Sequence, residues 1–189
     1  GCFSFNGNKI ISSGGGGVIV SNDKNLADKA KHLTTTAKTD SLHYYHDMVG
    51  YNYRLVNVLA AIGLAQMEQL DGFLKKKKSI CHYYKNNLKN ISDISFQKVL
   101  KDVDHNNWLI TIKTKQQKKL LDYLNFNNIL SRPFWCPMNK LPMYKDLIYI
   151  SKNDNCKKIH ETCLSIPCST NIKEEDLSIV VNFIKKFFK

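Results

Sequence analysis

Apolar residues recur at three- and four-residue spacing from Leu55 to about Leu88, the longest helical pattern in the chain. Most helices of globular domains run for about 8–20 residues, so a pattern of this length is exceptional. We expect it either to bridge two domains or to break near Gly72, the only glycine in its second half. The pattern therefore divides the 189 residues into a first domain over 1–72 and a second over 73–189.

Strand and helix signals alternate before this long helix. Residues 2–6 alternate as a strand does, and Val18–Val20 predicts a short buried strand after four consecutive glycines. A helix is predicted over 24–33, capped by the preceding Ser-Asn-Asp. Residues 34–53 lack periodicity and are rich in His and Tyr, which predicts a loop, and loops of that length are usually functional.

The second domain also mixes the two kinds of element. Its sequence predicts strands over 94–99, 107–113 and 129–134, a helix over 115–126 and an amphipathic helix over 173–187. The whole pattern indicates an α/β protein made of the end of a large domain, a long connecting helix and a small α/β domain.

A net charge of +12 raises nucleic-acid binding as a function. Its make-up argues against that function, because all but two of the 28 basic residues are Lys, and Lys75–Lys78 wraps round the helix as a solvated face. No basic and aromatic platform lies on a strand. The two Arg residues, Arg54 and Arg132, are candidate site residues, since a guanidinium binds carboxylates and phosphates in a way that Lys does not.

The cysteines and the apolar segments predict a cytoplasmic protein. Six cysteines are scattered without a CxxC pair, in a chain with 43% hydrophobic residues, so we expect free thiols. No apolar stretch approaches the ~20 residues that span a bilayer, and no signal-peptide pattern precedes the first strand. The sequence also contains no metal-binding motif.

Lys9 is the residue with the clearest chemical potential. It lies between a strand and a glycine-rich segment, where partial desolvation would make its amine a nucleophile. Ser4, five residues earlier, can donate its hydroxyl to a phosphate. Local chemistry alone leaves open a second interpretation, in which Lys9 is a surface lysine before a tight turn.

Three blocks of sequence resemble one enzyme family in order and spacing. Ser4–Ile11 followed by Gly14–Gly17 is similar to the active-site lysine segment of the DegT/DnrJ/EryC1/StrS sugar aminotransferases. Gly50–Leu55, with the residues that follow it, resembles the second signature of that family. Ser131–Trp135 resembles its Thr-Arg-Pro-Leu-Trp stretch. The likeness covers essentially the whole chain and is strongest to the branch that makes 4-amino sugars.

The resemblance implies the carboxyl-terminal portion of a type I pyridoxal-phosphate fold, in a homodimer with active sites at the subunit interface. Lys9 would hold pyridoxal phosphate as a Schiff base and move a proton between cofactor and sugar. Ser4 would hold the cofactor phosphate, and Asn52 would reach it from the partner subunit. Arg54, His46 and Arg132 would contact substrate; for Arg54 a purely structural role in bracing its loop is the alternative.

The implied reaction transfers an amino group, from glutamate, to a nucleotide-linked 4-keto-6-deoxy sugar. The acid that pairs with the pyridinium nitrogen precedes the lysine in this family, so we expect the 189 residues alone to be inactive. Asn139 stands where relatives often have His. The alternative function is that of a non-catalytic relative with a regulatory or scaffold role, although the presence of Lys9 argues against it.

Overall fold

The computed structural model describes all 189 residues and separates into two compact units, unit 1 (Gly1–Gly72) and unit 2 (Phe73–Lys189). Unit 1 begins with an antiparallel hairpin of β1 (Cys2–Ser4) and β2 (Gly17–Ile19). The prediction of a buried strand here was wrong about burial, because Val18 and Ile19 are exposed. The hairpin is a single layer within this chain, and a single layer buries neither face.

The next elements of unit 1 are α1 (Lys24–Thr34) and a small hairpin of β3 (Lys38–Asp40) and β4 (Tyr45–His46). Helix α1 begins as predicted, because the Asp23 carboxylate accepts hydrogen bonds from the first free amides of the helix. The second hairpin corrects the prediction of a structureless loop. Its turn forms because Asp40 Oδ1 accepts from two backbone amides, those of Leu42 at 2.8 Å and His43 at 3.1 Å.

The long helical pattern forms two helices, α2 (Asn57–Met67) and α3 (Leu70–Leu88). The break falls at Glu68–Gln69, within a turn of Gly72 and so near it as predicted. Gln69 accounts for its position, since its amide donates to Gln66 O and its side-chain Nε2 to Ala65 O, both at 3.1 Å. Gly72 lies inside α3, where glycine costs about 1 kcal/mol relative to alanine but does not end a helix.

Unit 2 is built on a four-stranded antiparallel sheet in the order β5-β6-β8-β7. Its strands are β5 (Ser95–Phe96), β6 (Ile110–Lys113), β7 (Arg132–Pro133) and β8 (Cys163–Ile166). Its helices are α3, α4 (Gln117–Phe126), α5 (Asn155–Thr162) and α6 (Glu174–Phe187), with 3₁₀ turns at Met138–Lys140 and Pro142–Tyr144. The predicted strands and helices are therefore present, although the strands are shorter than their sequence patterns.

One apolar core lies between the sheet and the helices of unit 2. Helix α3 contributes Tyr84, which is fully buried and donates its hydroxyl to Pro167 O at 2.8 Å. Burial raises the pKa of Tyr84 far above its ordinary value, so the phenol stays protonated. The fully buried aliphatic members are Ile80, Leu88, Ile112, Leu120, Leu124, Leu164 and Ile184.

The run Lys75–Lys78 is not the uniformly solvated face that its composition predicts. Lys77 is only 5% exposed, and its ammonium donates to Trp108 O at 2.8 Å and Cys168 O at 2.6 Å. The reason is helical phase: Lys77 lies three residues before Ile80, on the buried stripe of α3. Lys78, one residue on, is exposed and pairs with Asp104 at 2.8 Å.

All six cysteines are free thiols, as predicted, with Cys81, Cys163 and Cys168 buried. None of the helices combines the length and the apolar character needed to cross a membrane.

Candidate active site

Lys9 lies on the loop that joins β1 to β2, which we call the lysine loop (residues 5–16). Backbone hydrogen bonds close the loop at its base, where Phe5 N donates to Gly16 O and Ser13 N donates to Phe5 O, each at 3.0 Å. A turn inside it is fixed by Lys9 N donating to Asn6 O at 3.0 Å. Lys9 is half-buried in this loop.

Backbone geometry explains why glycine is needed at three positions of the glycine run. Gly14 and Gly16 have φ angles of +86° and +82°, which L side chains rarely adopt. Gly17 lies so close to β1 that a Cβ atom would sit 2.4 Å from Phe3 O. The glycines therefore let the chain double back tightly enough for β2 to pair with the strand that carries Ser4.

Ser4 is the last residue of β1, at the start of the lysine loop. Its Oγ accepts a hydrogen bond from Asn6 N at 3.3 Å, and its own hydroxyl hydrogen has no acceptor in the structure. The side chain is exposed. A phosphate oxygen is a natural acceptor for such a hydroxyl.

Asn52 and Arg54 follow a tightly packed crossing of two backbone segments. Gly50 permits this crossing, because a Cβ there would lie 2.3 Å from the carbonyl carbon of Thr36. Asn52 forms a single antiparallel bridge with Thr35 through the backbone. The side chains of Asn52 and Arg54 are exposed and make no hydrogen bond or ion pair, which leaves both available to a ligand.

Tyr51 and Tyr53 flank Asn52 and stack on each other, with ring centroids 5.1 Å apart and planes 13° from parallel. Both rings are exposed. The stack stiffens the segment on either side of Asn52.

His46 has a structural partner that sequence reasoning did not anticipate. Its Nδ1 lies 2.7 Å from Thr36 O, so the ring braces a residue with a φ of +68°. Because a carbonyl only accepts, Nδ1 carries the hydrogen and Nε2 is left for a ligand. In the neighbouring turn, hydrogen bonds from the His43 side chain and backbone lower the pKa of Asp40.

Arg132, the third signature residue, lies on β7 in unit 2 and pairs with Ser165 through the backbone. Its guanidinium is exposed and has no partner. Trp135, three residues on, stacks on Trp108 at 6.0 Å with planes 27° apart. Asn139 lies in the 3₁₀ turn Met138–Lys140. His160, which sequence reasoning missed, contacts this block, with its Nδ1 2.8 Å from Phe134 O. His160 and Phe134 are 26 residues apart in the sequence, so only the structure shows this contact.

Comparison with known proteins identifies the family. The model of the DegT/DnrJ/EryC1/StrS aminotransferase family matches residues 1–185. The chain belongs to this family. The match includes all three signature blocks and the lysine loop of this aminotransferase-family chain.

Curated relatives of this aminotransferase-family chain include two sugar-modifying enzymes. GDP-perosamine synthase of Escherichia coli O157:H7 is 34% identical over 189 residues, covering 98% of this chain and 51% of that protein. A UDP-4-amino-4,6-dideoxy-N-acetyl-beta-L-altrosamine transaminase of Campylobacter jejuni is 30% identical over 201 residues, covering 94% of this chain and 49% of that protein. The chain thus spans about half the length of the curated relatives that it matches.

Solved aminotransferase structures share the fold. DesV of S. venezuelae superposes with a TM-score of 0.92 at 21% identity, covering 100% of this chain and 51% of that one. The predicted fold class, the carboxyl-terminal portion of the type I pyridoxal-phosphate fold, is thereby confirmed.

Pyridoxal phosphate is the cofactor that family membership indicates. The lysine loop and the end of β1 fit part of that molecule, since Lys9 supplies an amine for the aldehyde and Ser4 a hydroxyl with a hydrogen to donate to the phosphate. Asn52 offers a further amide donor. No group of three or more His, Cys, Asp or Glu side chains is placed to hold a metal ion.

Proposed function

We propose that this chain is the carboxyl-terminal half of a pyridoxal-phosphate-dependent aminotransferase that transfers an amino group from glutamate to a nucleotide-linked 4-keto-6-deoxy sugar. The observation that carries the proposal is the family match over residues 1–185, with Lys9 half-buried on a glycine-closed loop that begins after Ser4. We further propose that the complete enzyme is a cytoplasmic homodimer.

Lys9 has two roles in this proposal. Its Nζ would hold the cofactor covalently in the resting enzyme and, once released from it, would carry a proton between the cofactor and carbon 4 of the sugar. When bound, the cofactor would supply an electron sink that stabilises the negative charge left when this proton is removed.

The other signature residues bind and orient. Ser4 Oγ donates its free hydrogen to the cofactor phosphate, and the Asn52 amide donates to the same group from the partner subunit. Arg54 and Arg132, whose guanidinium groups have no partner within the chain, bind the anionic parts of the substrates. His46 Nε2 is available to accept a hydrogen bond from a sugar hydroxyl, because Nδ1 is already held by Thr36 O.

The substrate class rests on what the relatives are named for. The Campylobacter relative acts on a UDP-linked sugar with an amino group at carbon 4 and deoxygenation at carbon 6. The Escherichia relative is named for a GDP-linked sugar. A nucleotide-linked sugar is common to both names, which is why we assign the class and leave the base open.

Lys9 is the residue to test first. We expect reduction of the full-length, cofactor-loaded protein with borohydride, followed by peptide mapping, to place the pyridoxyl label on Lys9. Lys24, exposed on α1 and paired with Asp28 at 2.6 Å, is a matched internal control and should stay unlabelled.

A label on another lysine would overturn the assignment of Lys9. Complete absence of the label, in a protein shown to be folded, would favour the second candidate function, a non-catalytic relative with a regulatory or scaffold role.

The role of Asn52 across the subunit interface has its own test. Full-length Lys9→Ala and Asn52→Ala subunits, each inactive alone, are mixed under conditions that exchange subunits. If Asn52 serves the partner's site, one site of each heterodimer carries both changes and the other carries neither, so activity returns. A mixture that stays inactive after proven exchange contradicts the role in trans.

A further inference from the structure

Lys77 is a buried cation without a buried anion. At 5% exposure its ammonium has three polar neighbours: Trp108 O at 2.8 Å, Cys168 O at 2.6 Å and Cys168 Sγ at 3.4 Å. None of them is a carboxylate. Taking an ammonium out of water without a counter-charge is costly, and buried charges in proteins are ordinarily paired.

Cys168 is the other half of this arrangement. It is 8% exposed, and its sulfur has two polar neighbours, Lys77 Nζ and Trp108 O at 3.7 Å. Reactive cysteines in proteins characteristically lie beside a cation. The pair is preorganised, because the two carbonyl oxygens hold Nζ in place against the sulfur.

We propose that Lys77 and Cys168 are a redox-sensitive pair, in which oxidation by a peroxide joins Lys77 Nζ to Cys168 Sγ as a sulfenamide. The inference is independent of the proposed aminotransferase activity, since it uses no residue of the lysine loop or of the signature blocks.

The chemistry has two balanced steps. Hydrogen peroxide first takes two electrons from the thiol, so that one oxygen joins sulfur as a sulfenic acid and the other leaves as water. Lys77 Nζ, after releasing its extra proton to solvent, then attacks that sulfur. The N–S bond forms, the S–O bond breaks, and the departing hydroxyl leaves with an amine hydrogen as a second water. The net change in the protein is the loss of two hydrogens.

The consequence is a covalent tie between α3 and the segment that follows β8, 91 residues apart in sequence. A cross-link that closes so long a loop restricts the unfolded chain and stabilises the folded one. Because a thiol reductant cleaves an N–S bond, the tie is reversible. Hydrogen peroxide is small enough to reach the sulfur through local opening of the core.

The test uses the complete wild-type protein treated with hydrogen peroxide, then denatured, alkylated and digested. We expect the peptides that contain Lys77 and Cys168 to appear joined, lighter by two hydrogens than their sum, and to separate after treatment with a thiol reductant. The thermal midpoint should rise with peroxide and return with the reductant. Lys78→Met, in the same turn of α3, is the matched control and should cross-link as wild type does.

Two outcomes overturn the proposal. One is a Cys168 that remains alkylatable after peroxide treatment. The other is a Cys168 that is oxidised to sulfinic or sulfonic acid, or joined to another cysteine, with Lys77 unmodified. Lys77→Met and Cys168→Ser should each abolish the cross-link, and the wild-type peptide map decides the matter even if either variant fails to fold.

Discussion

Unit 1 and unit 2 of this chain differ in how many of their apolar side chains are buried. Unit 2 gathers sixteen buried residues into one core between a sheet and its helices, whereas Ala37 is the only buried apolar side chain of unit 1. Yet unit 1 carries Lys9, Ser4, Asn52 and Arg54. The chemistry is thus assigned to the unit with little core of its own.

The apolar residues of unit 1 are present but exposed. They include Val18–Val20 on the hairpin and Val58, Ile62, Leu64 and Met67 on α2. An apolar surface of this extent is typical of an interface with another chain or domain. The curated relatives are about twice this length, and we propose that further polypeptide covers this surface of unit 1 in the complete protein.

The largest expected effect separates the 189-residue chain from the full-length enzyme. We expect the chain alone to transfer no amino group from glutamate to a nucleotide-linked 4-keto sugar above background, at least about 100-fold below the full-length protein, because positioned groups each contribute on that scale. We also expect it to aggregate through the exposed surface of unit 1. Turnover assays and light scattering on the two proteins measure both effects.

A monodisperse preparation of the chain whose turnover is close to that of the full-length protein would contradict the difference inferred between the two units.

The next effect compares leucines in the full-length protein by urea unfolding. Leu120→Ala, at a fully buried site in unit 2, should lower the free energy of unfolding by about 2–5 kcal/mol. Leu147→Ala, also in unit 2 but 64% exposed, should change it by no more than about 0.5 kcal/mol.

Leu64 sharpens the same experiment, because it is also 64% exposed but lies on α2 in unit 1. If other polypeptide covers α2 in the complete protein, Leu64→Ala should cost more than about 1 kcal/mol, well above Leu147→Ala. Equal and small effects at the two positions would mean that this face of unit 1 stays in water.

The smallest effect concerns the β3–β4 turn of unit 1. The side-chain hydrogen bond from His43, with backbone hydrogen bonds from His43 and Leu42, lowers the pKa of Asp40. Its stabilising contribution is therefore present above the ordinary aspartate pKa of about 3.9 and is lost as the pH falls through the lower folded value. The urea midpoint of the full-length protein should exceed that of Asp40→Asn at neutral pH, and the two should converge in acid.

His43→Gln is the control for the turn and should remove most of the same difference. If the difference in urea midpoint between wild type and Asp40→Asn widened as the pH fell, the pKa of Asp40 would not be lowered by folding.

Patterns with a local cause were predictable from the sequence. The start of α1 follows from the Asp23 side chain, and α6 from an acidic first turn, a basic last turn and apolar spacing. The order of strands and helices in unit 2 and the place of Lys9 between a strand and glycines also have local signals.

Features that depend on distant partners were not predictable. Burial of Val18 could not be judged without knowing whether a second layer covers it. Lys77 was the exception, because its spacing from Ile80, Cys81 and Tyr84 places it on the buried stripe. The composition of Lys75–Lys78 instead favoured the prediction of a solvated face.

Helix α6 completes the core of unit 2 late in synthesis, because it is the last element of the chain. It supplies Leu177, Val180, Val181 and Ile184, and it begins at Glu174, long after α3 ends at Leu88. At ribosomal speeds of about 5–20 residues per second, the core to which α3 contributes is completed by α6 only on the order of ten seconds after α3 is made. Throughout that interval the apolar residues of the unfinished core are accessible to chaperones, so we expect synthesis of unit 2 to depend on them.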